Sequence, residues 1–449
     1  MNNSPNLQIA AAGRGIFIPL RRRGLLAEKR KNIIFVFENE IVPEMEKSRY
    51  TLSLVDSAAM ARRFLELPKR LYAGDGAWVC PLDDDIEAVF DARRNKLFDG
   101  GEAVRWVAVD SDGRDVGRIA AFYNRELASL NDRPIGGCGF FESENDPELA
   151  GMLFDAARDW LAERGMEGMD GPVNFGPRDS WWGLLVEGFG HQPLYGMPYN
   201  PPYYRELFEQ YGFKNYFNQH TYRRELNVGQ MSQSVYERVK RLEETPGYRF
   251  EHIDKRRLEQ VAEEFCTIYN KAWASFTGVK PIDRAEALRL MNTLRPIIDE
   301  KLIYFAYYEN EPIGFFIMVP DLNRIIGKFN GRLTLWNKLR LMWDLKVAHK
   351  VDRVFGLIFG VTPEYHGKGI EAGMMRAFEK MIARGKIGYT TLELAWIGDF
   401  NPVMMRMVEN YVCASKHKMH TTYRYLFDRT APFERCPRIG IKRRTEGGE

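Results

Sequence analysis

After residue 50 the sequence repeats one order of predicted elements twice. The first copy has short apolar segments at residues 105–110 and 116–123 around a Ser-Asp-Gly turn, and the second copy has them at 303–308 and 313–319. Two such segments with turn residues between them predict a β-hairpin. A strand, a helix, a strand, a helix and a last strand follow in each copy. The repetition predicts an α/β (α+β) protein with two domains in tandem, each a mixed central sheet flanked by helices.

The second copy contains a glycine turn between a strand and a helix. Residues 353–361 form a short apolar run typical of a buried strand, and residues 370–384 place apolar side chains at helical spacing. Between them, Gly367 and Gly369 permit a tight turn with free N–H groups at a helix N-terminus, which suits a pyrophosphate. The segment lacks the pattern of a P-loop and the spacing of a dinucleotide fingerprint. A plain tight turn is the alternative interpretation.

Residues 366–371, His-Gly-Lys-Gly-Ile-Glu, resemble the acetyl-CoA loop of the GNAT acyltransferase superfamily, which reads Arg/Gln-Gly-x-Gly-x-Gly/Ala after a strand that ends in Val-x-Pro. His366 and Glu371 are the two departures from that pattern. The resemblance covers about residues 50–430 as a tandem pair. It implies acyl-CoA as co-substrate, an amine as acceptor and no metal. It also implies a set of CoA contacts: Val361, Gly367, Lys368, Gly369, Ile370 and Asn401.

The corresponding turn of the first copy is acidic. Residues 142–147, Glu-Ser-Glu-Asn-Asp-Pro, carry three carboxylates and no glycine, so they would repel a pyrophosphate. We therefore expect one CoA site, in the second copy, and a supporting or acceptor-binding role for the first. The predicted organisation is a mobile basic extension, a degenerate GNAT-like domain, a GNAT domain with the CoA loop and an insertion at 323–352, and a basic tail; the limits are 1–48, 49–228, 229–430 and 431–449.

Three residues are candidates for removing the proton from the amine: Glu393 on the strand beside the glycine loop, Asp399 at its end, and His366 in the loop. A solvent-facing strand glutamate is the alternative for Glu393. GNAT enzymes often protonate the leaving thiolate with a tyrosine seven residues after an asparagine. Here Asn401 is followed by Val408 at that distance, so this acid is missing, and Tyr411 is predicted to be packed.

An aromatic, glycine-rich loop follows the fourth predicted strand of the first copy, where a GNAT domain opens toward its acceptor. It could line a cleft for an amine or a long chain, or it could be a packed connection between domains. The predicted acceptor contacts in and after this loop are Asp179, Trp181, Trp182, Glu187 and Tyr199.

The insertion at 323–352 carries Trp336 and Trp343 on one helical stripe beside many basic residues. Tryptophans beside a basic flank are typical of an interfacial helix on anionic lipid. Lys346 falls within the apolar stripe and weakens that interpretation, and a helix packed on the neighbouring domain is the alternative. Nucleic acid is not an expected partner, because no recognition motif accompanies the bases.

Five scattered cysteines without a Cys-x-x-Cys pair, and no apolar run of membrane-spanning length, predict a cytoplasmic protein, peripheral on the inner membrane face. We interpret the chain as an N-acyltransferase that moves an acyl group, of long-chain type, from CoA to a lipid or sphingoid-type amine. It looks like bacterial N-acyltransferases of the ceramide type. Two alternatives stay open at this point: a Fem-like aminoacyl transferase that uses aminoacyl-tRNA, and a non-catalytic acyl-CoA-binding protein.

Overall fold

The computed structural model describes residues 49–229, 231–273, 281–385 and 388–439. The predicted extension 1–48 and the tail from residue 440 on lie outside the described residues. Within the described ranges, no helix has both the length and the apolar content that crossing a bilayer requires.

The first half of the described chain contains the predicted hairpin, here β2 and β3, and the predicted third strand, β4. Its elements are β1 (Tyr50–Leu54), α1 (Ala58–Leu71), α2 (Asp83–Phe90), β2 (Gly101–Asp110), β3 (Asp115–Asn124), α3 (Arg125–Ala128), β4 (Ile135–Ser143), α4 (Pro147–Ala162), β5 (Gly168–Gly171), β6 (Leu184–Glu187), α5 (Tyr204–Tyr211) and β7 (Lys214–Glu225).

The second half repeats this order after a linking helix, α6. Its elements are α6 (Gln233–Glu244), β8 (Tyr248–His252), α7 (Leu258–Trp273), α8 (Arg284–Leu294), β9 (Ile303–Tyr308), β10 (Glu311–Pro320), α9 (Asn323–Ile326), α10 (Leu335–Lys346), β11 (Arg353–Val361), α11 (Ile370–Ala383), β12 (Thr391–Gly398), α12 (Pro402–Met407) and β13 (Ser415–Leu426). A single π turn, Val408–Val412, follows α12 directly, so the helical segment before β13 changes its geometry in its second half.

One continuous sheet joins the two halves. Its strand order is β1-β2-β3-β4-β5-β13-β7-β12-β11-β10-β9-β8, with β6 paired to β13. The last strand of each half therefore pairs with the fifth long strand of the other half: β7 lies beside β12, and β13 lies beside β5. The sheet crosses the predicted domain limit at residue 228, because two exchanged strands connect the halves by backbone hydrogen bonds.

Helices cover the sheet and bury separate apolar clusters against it. In the first half, α4 buries Leu149, Leu153 and Phe154 on the sheet. In the second half, α11 covers one face through Met374 and Phe378. Helices α7 and α8 cover the opposite face of that half. A mixed sheet with helices on both faces is the predicted architecture, and the structure confirms it.

Candidate active site

The turn after β11 leaves the start of α11 open. Gly367 and Gly369 have φ angles of +73° and +90°, a region that favours glycine. Gly369 occupies the N-cap of α11 and makes no side-chain cap. Within the described ranges, no carbonyl accepts a hydrogen bond from the backbone N–H of Gly367, Gly369 or Ile370. Three donors at a helix N-terminus are therefore without a backbone acceptor in these ranges, and the helix dipole there also favours an anion.

The side chains of His366 and Lys368 pack back onto this turn, and burial changes the pKa of the glutamate that follows it. The His366 ring nitrogen Nε2 lies 2.9 Å from the carbonyl oxygen of Val361. The Lys368 ammonium lies 4.5 Å from the centre of the Tyr365 ring. Glu371 is buried, and burial raises the pKa of its carboxyl against the opposing effects of its own N–H and of His366. A raised pKa reduces the repulsion that this carboxyl would exert on a bound phosphate.

The strands next to the turn separate from one another. β11 and β12 pair in parallel from Arg353 opposite Thr391 to Gly356 opposite Leu394. Beyond that point, half-buried Leu357, Ala395 and Trp396 face a small apolar cluster that includes Met197 from the first half; its other members are Leu194, Val319 and Phe355. An apolar split between two strands, with free N–H groups at its upper end, can hold a chain that carries a diphosphate.

Glu393 lies one residue below the split and is fully buried. It forms ion pairs with Lys418 and Arg353, and Arg353 also binds Asp321. Burial alone would raise the pKa of Glu393, but the two cations outweigh it and hold the pKa below its usual value. The solvent-facing alternative is wrong for this residue. The base role stays a prediction, and these partners keep the carboxylate ionised.

Two histidines connect this buried group with the surface. The His417 ring lies 3.9 Å from the Glu393 carboxylate and 4.3 Å, centre to centre, from the ring of exposed His191. Burial lowers the pKa of His417 to about 4. The imidazole is therefore neutral at pH 7. The sequence pattern gave no signal for His417, because β13 reaches β12 only across the exchanged strand β7.

The structure separates Asp399 and Asn401 from that cluster. Asp399, at the end of β12, forms an ion pair of 2.7 Å with Arg435. The Asn401 side chain accepts a hydrogen bond of 3.2 Å from the Met404 N–H and so caps α12. Its predicted contact with CoA stays a prediction, and one of its polar atoms already has a partner.

Val408, at the position of the missing acid, is buried. It begins the π turn, a feature that frequently marks functional sites. Tyr411 in the same turn is half-buried, and its phenol oxygen accepts a hydrogen bond of 3.1 Å from Arg238 of α6. The predicted packing of Tyr411 is therefore only partial.

The predicted acceptor residues of the first half do not form one cluster. Trp181 and Trp182 pack against the core around Val173 and Phe175. The Tyr199 hydroxyl donates a hydrogen bond of 2.7 Å to Asp75. A cavity of about 90 Å³ includes Trp181, Met197 and Tyr199 in its lining. Asp179 and Glu187 are exposed.

Helix α10 of the insertion has two different faces. Leu345 on its inner face packs against residues of the first half, so part of the alternative interpretation is also present. Trp336 and Trp343 on the outer face are 79% and 61% exposed, and Leu335, Leu339 and Val347 are exposed beside them. Lys346 turns inward, and its ammonium donates to the Ile298 carbonyl. It does not interrupt the outer apolar face.

The first half contains the same strand geometry without the opening. β4 and β5 pair from Ile135 to Gly137, and the chain directly after β5 stays bonded to β4, because the Val173 N–H donates to the Cys138 carbonyl at 2.8 Å. A Cβ on Gly139 would lie 1.8 Å from the Val173 oxygen. Asp146 caps α4 by accepting from the Glu148 and Leu149 N–H groups. In this half, the N–H groups at the start of α4 are therefore capped by Asp146, and the backbone beside β4 is bonded to Val173.

The chain is similar in sequence to two known proteins. The chain is 30% identical over 378 residues to a bacterial ceramide synthase of Caulobacter vibrioides, covering 82% of this chain and 95% of that protein. It is 27% identical over 370 residues to Protein YghO of Escherichia coli K12, covering 81% and 92%. No protein-family model matches the chain. Among solved structures, a tandem GNAT protein from the clavulanic acid biosynthesis pathway matches 86% of this chain and all of its own, at 9% identity and a TM-score of 0.48.

Proposed function

The chain belongs to the bacterial ceramide synthase family and is a GNAT-type N-acyltransferase, and we propose from this premise that it transfers a long acyl group from CoA to the amine of a long-chain amino alcohol. The observation that carries the proposal is the uncapped N-terminus of α11 above the split between β11 and β12. An aminoacyl-tRNA donor would not need this turn. The non-catalytic alternative would share this donor site, and formation of the acylated product separates it from the enzyme.

The donor is proposed to bind along the turn and the split. The backbone N–H groups of Gly367, Gly369 and Ile370 would hold the diphosphate, because each lacks an acceptor within the described chain. The pantetheine would then follow the edges of the separated strands, where β11 and β12 no longer pair with one another. This arrangement would bring the thioester to the point where the strands meet, near Gly356 and Leu394.

The acceptor is proposed to approach from the face of the first half. Met197 and Leu194 contribute apolar surface opposite Leu357 and Trp396. The indole nitrogen of Trp396 donates to the Arg178 carbonyl at 2.9 Å and fixes the aromatic loop of the first half against β12. Ceramide, the product in the name of the Caulobacter relative, is an amide of a long-chain amino alcohol. An apolar wall beside the thioester suits a substrate of that class.

The reaction forms an amide and breaks a thioester. The neutral amine attacks the carbonyl carbon, the carbon–sulfur bond breaks, and the amine proton leaves as the CoA thiolate gains one. Glu393 has no exposed atom, so we propose that a proton reaches it through His417 and His191. Asp399 and His366 are the competing predicted bases; one is paired with Arg435 and the other holds the turn.

Helix α10 is proposed to dock the enzyme on an anionic membrane. Its outer face exposes two tryptophans and three aliphatic residues. Arg332 and Lys338 flank this face and are also exposed. An amphipathic helix with tryptophans and flanking bases gains free energy from apolar burial and from attraction to anionic lipid. A membrane-bound enzyme would receive a long-chain substrate without taking it through water.

The enzyme assignment is tested by product formation from palmitoyl-CoA and sphinganine. We expect an N-acylated product in mass spectra and free thiol in equal amount. Thiol release without amide, or no binding of CoA by calorimetry, would contradict the proposal. The base is tested in the same assay: His417→Gln and Glu393→Gln should lower kcat with little change in the KM for palmitoyl-CoA. Equal or larger losses in Asp399→Asn or His366→Gln would assign the proton to those residues.

The membrane proposal is tested by flotation with vesicles that contain 30% phosphatidylglycerol. The double variant Trp336→Ser, Trp343→Ser should float several-fold less than the wild-type chain. A matched control is Trp396→Ser, which removes a tryptophan from the site and not from α10. Unchanged flotation of the α10 variant would remove the membrane role.

A further inference from the structure

Arg238 of the linking helix α6 lies over the glycine turn. A Cβ built on Gly369 would be 3.3 Å from the Arg238 Cδ, so the arginine stem passes directly beside the start of α11. The helix is fixed there by its own contacts with α11: Lys380 binds Glu243 at 2.7 Å, and Arg376 donates to the Tyr236 hydroxyl at 3.3 Å. The position of Arg238 is therefore set by packing outside the repeated GNAT order.

The guanidinium of Arg238 has a neutral partner and no acidic one. Its Nη1 donates to the Tyr411 hydroxyl at 3.1 Å. In the part of the chain that the structure describes, no carboxylate lies within salt-bridge distance of it, whereas the nearby Arg224 is paired with Glu379 and Arg223 with Glu225. A guanidinium without a counter-charge beside free helix N–H groups favours an anion with several oxygen atoms.

A cavity of about 860 Å³ opens beside this guanidinium. Its lining is mostly polar and includes both the start of α6 and the π turn. Among the lining residues are Arg238, Tyr411, Ser232 and Ser234. In an acyl-CoA, the diphosphate joins the pantetheine on one side to the nucleotide on the other. If the pantetheine enters the split between β11 and β12, the nucleotide leaves the turn in another direction, and Arg238 both lines this cavity and lies beside the start of α11.

We infer that Arg238 is a phosphate ligand for the nucleotide end of acyl-CoA, supplied by the linking helix from outside the GNAT core. The inference rests on the proposed function. Its consequence is that α6, which connects the two halves in sequence, also belongs to the donor site. Arginine donates to phosphate through a rigid pair of N–H groups, so glutamine at this position, which is shorter and neutral, removes both that pair and the charge.

The test compares Arg238→Gln with Arg241→Gln, a control on the same helix whose side chain is exposed and does not line the cavity. Calorimetry with CoA should give a dissociation constant about ten- to hundredfold higher for Arg238→Gln, as expected for a lost hydrogen bond between charged groups. Arg241→Gln should bind as the wild type does. Turnover with palmitoyl-pantetheine, which has no phosphate at the nucleotide end, should be the same in all three proteins.

Dephospho-CoA distinguishes the two phosphate sources. If Arg238 binds the 3′-phosphate, Arg238→Gln and the wild type will bind dephospho-CoA equally; if it binds the diphosphate, the difference will persist. Equal CoA binding by both variants would overturn the inference, and so would an equal loss of turnover with palmitoyl-pantetheine. A wild-type chain that does not bind CoA would contradict the proposed function itself, which is a different result.

Discussion

The turns that follow β4 and β11 occupy the same place in the repeated order, yet they end in opposite ways. In the first half, Asp146 caps α4 and receives hydrogen bonds from Tyr50 and Arg49. In the second half, Gly369 leaves the start of α11 without a cap. The chain after β5 stays bonded to β4 through the Val173 N–H, whereas within the described residues the pairing of β11 with β12 ends at Gly356 and Leu394. The same order of strands and helices therefore gives a supporting domain when the helix N-terminus is capped by its own residues. It gives a candidate binding site when that N-terminus is left without a cap.

The largest expected effect comes from closing the open turn. Gly369→Asp would place a carboxylate at the N-cap of α11, as Asp146 does in α4, and would repel the diphosphate. We expect CoA affinity to fall more than about a hundredfold, with a modest loss of stability because φ is +90°. Calorimetry and thermal unfolding measure the two quantities.

The matched variant in the first half is Asp146→Ala. It removes the cap of α4 and should cost about 1–2 kcal/mol of unfolding free energy. CoA affinity should not change. A large loss of CoA affinity in Asp146→Ala, with retention in Gly369→Asp, would reverse the assignment of the two halves.

The second prediction compares the strand pair β11 and β12 with the strand pair β4 and β5. Ala395→Phe would fill the split beside β12 and should lower kcat/KM for palmitoyl-CoA about tenfold or more, because the substrate and the ring would occupy one space. Val173→Ala in the first half should cost about 2 kcal/mol of stability through a cavity. It should leave kcat/KM unchanged. Steady-state kinetics and urea unfolding separate these outcomes, and unaltered kinetics in Ala395→Phe would contradict the donor path.

The third prediction concerns two buried glutamates with opposite pKa shifts. Lys418 and Arg353 hold the pKa of Glu393 below its usual value, and burial raises the pKa of Glu142 beside Tyr72. The stability due to ionised Glu393 is present above about pH 4.3, the unfolded pKa, and is lost as the pH falls below it. The stability due to Glu142 is present below that pH and is lost as the pH rises toward its folded pKa.

Glu393→Gln should therefore lose more stability relative to the wild type at pH 6 than at pH 3.5, whereas Glu142→Gln should be closest to the wild type, or above it, at the higher pH. Urea unfolding at several pH values measures the two slopes. Slopes of the same sign would show that the environments do not differ as described.

The smallest expected effects come from exposed cations at the two turns. Lys368→Ala should weaken CoA binding a few-fold at low salt and less at high salt, because a solvent-exposed charge is screened. Arg49→Ala, which removes the exposed pairs with Asp146 and Glu148, should change stability little, because solvent screens exposed ion pairs, and should leave CoA binding unchanged. A salt-independent effect of Lys368→Ala would point to direct contact in a buried geometry.

Local patterns in the sequence predicted the hairpins, the glycine turn and the loss of that turn in the first half, because each depends on residues close together in the chain. The exchange of β7 and β13 was not predictable in this way, since it is decided by pairing between distant strands. That exchange also explains why the ion pair of Glu393 with Lys418 was not predicted, because Lys418 lies on β13, which is distant in sequence from β12. The role inferred for Arg238 likewise depends on how α6 packs on α11.

The number of CoA molecules bound per chain shows whether the second half alone holds the donor site. Calorimetric titration of the wild-type chain should give one site, and Gly369→Asp should abolish it while Asp146→Ala retains it. Two sites of similar affinity, or one site that survives Gly369→Asp, would contradict the account that only the second half left its helix N-terminus open for the donor.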